Sequence, residues 1–107
     1  MIVKGSERPV EMTAHGTPKR VLLRGGVLPD VTQVAVASFG EHGEVELHAH
    51  PTMYEVYYVL EGEASYYVGE EVYEAGPGDL VVVPPGTAHG LRVTSGPHRV
   101  FYWGLAE

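Results

Sequence analysis

The sequence predicts an all-β domain, a sandwich or a barrel, on three observations. Fourteen Gly and eight Pro in 107 residues interrupt the chain every several positions, too often for long helices. The runs between them are short and rich in Val, Tyr, Thr and Leu, residues that suit a pleated, half-buried surface. Short strands recurring at this spacing are the pattern of sandwiches and barrels.

Each element follows from that alternation. The first 19 residues are polar and broken by Pro9, Gly16 and Pro18, and are expected to form a loose N-terminal arm or an edge strand, with residues 20–107 as the barrel domain. Strands are expected at 20–23, 33–39, 45–50, 55–61 and 63–68, then at 71–75, 79–83, 88–93 and 99–104. Turn signals separate several of them: Val68-Gly69-Glu70-Glu71, Ala75-Gly76-Pro77-Gly78-Asp79, Pro84-Pro85-Gly86 and Ser95-Gly96-Pro97. In the run from Tyr54 to Leu60, Glu55, Tyr57 and Val59 share one face, and Tyr54, Val56, Tyr58 and Leu60 share the other. Both faces are largely apolar. One can line a barrel interior; the other needs a second layer, and a homodimer is the expected cover.

Composition narrows the function classes. The length fits one domain, with an apolar fraction of 44% and a charged fraction of 20%. There is no Cys, which rules out a disulfide framework and a thiolate metal site and is compatible with a cytoplasmic location. No apolar run approaches the roughly 20 residues of a membrane-spanning helix, so no membrane partner is expected. A formal net charge of −7 with scattered basic residues argues against nucleic acid. No nucleophile elbow and no phosphate-cradling loop appear.

The chemistry sits in His48-Ala49-His50, Glu55 and His89. Three imidazoles and a carboxylate suit a divalent transition metal. On a strand, positions i and i+2 point the same way, so His48 and His50 can approach one ion together. Glu55 faces inward on the next strand, and the turn at Pro84-Pro85-Gly86 can return His89 to them.

These residues resemble the two motifs of the cupins. In the first motif His48, His50, Glu55 and Gly62 stand at the family's spacing, while its opening Gly position holds His42, with Gly43 one residue later. In the second, Gly78, Pro84, Gly86 and His89 match, and the terminal Asn is replaced by Val93. The 15 residues from Glu63 to Pro77 between them fit the short spacer of small cupins. The match covers residues 43–93, and its two departures fall on turn or strand-end positions. The resemblance implies an antiparallel jelly-roll β-barrel with one divalent metal (Fe, Mn, Ni, Cu or Zn) on His48, His50, Glu55 and His89. It also implies a small-molecule substrate and dioxygenase, isomerase, decarboxylase or lyase chemistry, or else a non-catalytic binding or sensing module.

Other residues are weighed individually. Glu46, two before His48, is a candidate hydrogen-bond partner or general base in the pocket; the plainer reading is a rim carboxylate in water. Tyr57, two after Glu55, is a candidate donor to a bound substrate, or a plug of the barrel. His15, His42 and His98 adjoin Gly or Pro and are expected as exposed loop residues. Arg92 and Arg99 can hold a carboxylate by a bidentate fork, although surface placement suits each alone.

Overall fold

The computed structural model describes residues 1–107, and apart from a three-residue 3-10 turn at Gly5–Glu7 its regular structure is all strand. The eight strands are β1 (Val10–Met12), β2 (Pro18–Arg24), β3 (Val31–Phe39) and β4 (Glu44–His48), then β5 (Met53–Val68), β6 (Glu71–Ala75), β7 (Leu80–Val83) and β8 (His89–Ala106). All pairings are antiparallel.

Two strands organise the rest. β5 and β8 pair along almost their whole lengths, and the register slips between Val59 and Ala64. On one side of that slip, Met53–Glu61 and Arg99–Ala106 lie between β3 and β7. On the other, Glu63–Val68 and His89–Ser95 lie between β6 and β4. One bent ribbon thus supplies the middle of two facing sheets, β1-β2-β3-β8-β5-β7 and β4-β8-β5-β6. This explains the differences from the sequence expectation. The pairs of strands expected at 55–61 and 63–68, and at 88–93 and 99–104, are single strands that bend without ending. Gly62 makes the corner: its φ is +74°, and a Cβ there would lie 2.1 Å from the Pro97 carbonyl oxygen. Only glycine allows that approach.

The core lies between the sheets. Val59 and Val100 face each other in register, each 1% exposed, and each contributes roughly 1.5–3 kcal/mol by burial. Ala35, Ala37, Ala64 and Ala75 are also buried, and their small side chains leave room inside the barrel. The outer face is less complete. Val56 is buried, but Tyr54 and Tyr58 are 40% exposed, and on β7 Leu80 and Val82 are exposed beside them.

The N-terminal segment contributes β1, an edge strand on β2, and the turn that follows it. In that turn the Thr13 hydroxyl accepts hydrogen bonds from the backbone N–H groups of His15 and Thr17.

Candidate metal centre

His48, His50, Glu55 and His89 converge, with one ligand atom from each lying within 4.8 Å of all the others. The route differs from the one expected for His50. β4 ends at His48, and the register shifts between Val45 and His48, so strand alternation does not carry through this region. His50 enters from the turn between β4 and β5 instead. Its carbonyl accepts a hydrogen bond from Gly86 N–H at 2.8 Å, which ties that turn to the Pro84-Pro85-Gly86 turn. Gly86 has φ +75°, the left-handed conformation the turn needs to return the chain toward His89. His48 and His89 are register partners on β4 and β8, and Glu55 projects inward from β5.

Backbone carbonyls orient two of the rings. Nδ1–H of His48 donates to the Glu46 carbonyl at 2.8 Å, and Nδ1–H of His89 donates to the Thr87 carbonyl at 2.9 Å. In each ring this leaves Nε2 as the atom free to bind a cation. Glu55 is the hub: its Oε1 lies 2.9 Å from Nε2 of His50 and 2.9 Å from Nε2 of His89, and Tyr57 Oη–H donates to it at 3.0 Å.

The charges follow from this packing. Burial pushes the Glu55 carboxyl up, but the hydrogen bond from His89, the charge of His50 and the Tyr57 hydroxyl outweigh it and hold it below the ordinary range. Burial lowers His89, yet the Glu55 and Thr87 contacts raise it overall. For His50 burial prevails over the attraction of Glu55, and the imidazole is lowered. Burial, then the negative charge of Glu55, raise Tyr57 far above its usual value, so its phenol stays protonated.

The donor set fits a transition-metal ion. Ligands about 2.1 Å from a common ion at right angles stand about 3.0 Å apart. The two His–Glu separations of 2.9 Å match that spacing. His89 makes the strongest case. With Nδ1–H committed to Thr87, its Nε2 lone pair and a carboxylate oxygen face each other across 2.9 Å. Only a cation between them, a proton or a metal ion, makes that contact favourable.

The cluster opens on a cavity of about 290 Å³ between the sheets, walled by Ala37, Phe39, Val100 and Tyr102 among others. Tyr57 lines it, as the sequence suggests. Glu46 is not brought to it: its side chain is exposed, and only its backbone carbonyl reaches His48. The register shift after Val45 breaks the alternation on which a shared face with His48 depended. Arg92 and Arg99 are exposed and lie outside the cavity lining. His42 is exposed in the turn before β4.

Of the other two histidines, one stands as expected and one does not. His15 is exposed, but it lines the cavity rim and packs on His48 with ring centroids 4.7 Å apart. His98 is not a loop residue at all. It is 0% exposed within β8; its Nδ1–H donates to the Glu61 carbonyl at 3.0 Å, and the Tyr66 hydroxyl donates to its Nε2 at 2.7 Å. Its alternation with Val100 and Tyr102 was the available signal, since all three face the core.

Comparison with known proteins places this architecture. The family profile for the cupin domain (Cupin_2) matches residues 35–103, more than half of the chain. The chain belongs to the cupin family. An uncharacterized protein of Methanocaldococcus jannaschii is 34% identical over 82 residues, covering 76% of this cupin; the match spans 66% of the relative's length. Among solved structures, a "predicted oxalate decarboxylase" of Thermotoga maritima superposes with a TM-score of 0.92 at 20% identity, each chain covered completely. KdgF of Halomonas sp. gives 0.86 at 19% identity, covering 100% of this chain and 94% of that one. An uncharacterized protein of Klebsiella pneumoniae with a double-stranded β-helix domain gives 0.73 at 27% identity, covering 98% and 88%. No helix is long and apolar enough to cross a membrane.

Proposed function

We propose that this cupin is a small metal-dependent enzyme, dioxygenase- or isomerase-like, acting on a small polar organic molecule. The convergence of His50 and His89 on one oxygen of Glu55, with His48 beside them, carries the reading. A bound divalent ion (Fe, Mn, Ni, Cu or Zn) would supply a Lewis acid with about two coordination positions left for substrate or water. The protein's own part is positional. Thr87 and Glu46 carbonyls fix two imidazoles, and Tyr57 fixes the carboxylate. Apolar side chains, among them Ala37, Phe39 and Val100, wall the cavity beside it. Tyr57, protonated and already bonded to Glu55, acts as a positioning donor and not as a base.

A non-catalytic binding or sensing module is the alternative, because the same pocket serves it. Elemental analysis of protein purified without added metal tests the centre. About one ion per chain is expected, with loss in His48→Ala; no uptake at neutral pH overturns it. Screening a panel of small polar substrates on the Fe(II)- and Mn(II)-loaded protein, by oxygen consumption and product mass, separates the two readings. Binding without turnover across the panel favours the module.

The outer face of β5 and β7 supports a homodimer. Tyr54, Tyr58, Leu80 and Val82 are exposed together, flanked by Phe101 and Trp103 on β8. These positions carry no charge with which to select a charged partner, and a sheet face meets a copy of itself about a two-fold axis with like residues opposed.

A further inference from the structure

We propose that Lys19 and Gln33 form an anion-binding end of the cavity and that the molecule this cupin takes is a small organic carboxylate. Its carboxylate group is held by these two side chains while its other end faces the histidine–glutamate centre. Only that far end rests on the metal-dependent reading.

Register places the pair. Lys19 lies beside Ala37, two layers below the centre. Gln33 pairs with Gly104, and Gly104 pairs with Glu55, so Gln33 stands at the level of the metal ligands. Lys19 Nζ donates to Gln33 Oε1 at 2.8 Å. The lysine side chain therefore runs up the inside of the barrel toward the centre, and both residues line the same cavity as the histidines.

The chemistry of the pair is one-sided. Lysine offers three N–H donors and no acceptor, and one of the three is used on Gln33. Lys19 takes one lone pair of the Gln33 oxygen, and the amide NH2 group of Gln33 offers two further donors. Together they offer donors and a positive charge, the complement of a carboxylate. Lys19 is the one Lys or Arg lining this cavity, and no carboxylate lies within 4.0 Å of its ammonium. The two acidic side chains in the lining bond other groups, although Glu11 stands across from Lys19 on β1. Glu11 pairs with Arg24, and Glu55 binds His50, His89 and Tyr57. A half-buried ammonium bonded only to a neutral amide is stabilised by an incoming anion. The volume, about 290 Å³, limits that anion to a small one.

The test is an NMR titration of the metal-free and Zn(II)-loaded protein with acetate, glycolate, pyruvate, malonate and succinate, following the Lys19 ammonium and Gln33 amide signals. At least one carboxylate is expected to shift both, whereas succinamide shifts neither. Lys19→Gln is expected to weaken that carboxylate at least tenfold by calorimetry, and Lys19→Arg, which keeps the charge, by much less. Metal content should be unchanged in both variants. If no carboxylate moves the Lys19 signals of the wild-type protein, or if Lys19→Gln binds as tightly as wild type, the proposal is wrong. Failure to take up zinc would overturn the metal reading alone, because the metal-free titration still reports on Lys19.

Discussion

His89 and Glu55, 34 positions apart in the chain, meet with Nε2 and Oε1 2.9 Å apart. The contact closes two strands of one ribbon onto each other and leaves Glu55 6% exposed. A carboxylate so placed depends on every group that orients it.

Tyr57 is one such group. Tyr57→Phe removes the hydroxyl that donates to Glu55 and keeps the ring stacked on Tyr102. Metal affinity is expected to fall by about 10–100-fold, the usual effect of losing a ligand's hydrogen-bond partner. Competition with a chromophoric chelator measures it. Because the change acts through the ligand, affinity should drop while the thermal midpoint of the metal-free protein hardly moves.

Gly62→Ala tests the corner. The added methyl would meet the Pro97 carbonyl in a backbone conformation that L residues disfavour. A loss of about 2–5 kcal/mol in folding stability is expected. Urea denaturation of the metal-free protein gives the value, and a loss below 1 kcal/mol would show that the bend relaxes.

His98 predicts a pH dependence. Burial lowers its imidazole below the ordinary 6.5 despite the Glu61 and Gly62 backbone contacts. The groups around it are the Tyr66 hydroxyl, the Phe39 ring and those backbone atoms, none of them a fixed charge. Below pH 6.5 the unfolded chain binds a proton that the folded chain refuses, so this contribution is full above 6.5 and declines as pH falls through the folded value. The slope is at most about 1.4 kcal/mol per pH unit. His98→Gln, which offers a donor and an acceptor without titrating, should show a flatter decline. Equal slopes for wild type and variant from pH 7 to 5 would contradict this.

Leu80→Glu places a charge on the outer face at a residue 55% exposed, where it costs the fold little. Light scattering at micromolar concentration should give a dimer for the wild type and a monomer for the variant. A monomeric wild type would remove the proposal.

The sequence made the fold class and the convergence of His48, His50, Glu55 and His89 legible because both are written in local spacing. Alternation marks strands, Gly62 and Gly86 mark required backbone conformations, and the ligands stand at fixed offsets from them. What stayed hidden depends on register. Lys19 reads as part of a polar N-terminal stretch, yet it is two residues from Val21, which is 1% exposed, and so faces inward. Gln33 stands likewise to Ala35. Nothing in either segment alone says that β2 and β3 pair so as to bring the two together. Glu46 shows the limit of alternation in the other direction: an ideal strand puts it on the face of His48, a local irregularity in β4 breaks that alternation, and it stands exposed, as the plainer reading of a carboxylate in water expects.

The shared ribbon has a consequence for access. Since β5 and β8 each run through both sheets, the sheets cannot part as two jaws on a hinge without breaking strands in the middle. Any opening of the cavity is therefore set by the side chains and loops at its edge, where His15 is exposed, and not by a separation of the sheets.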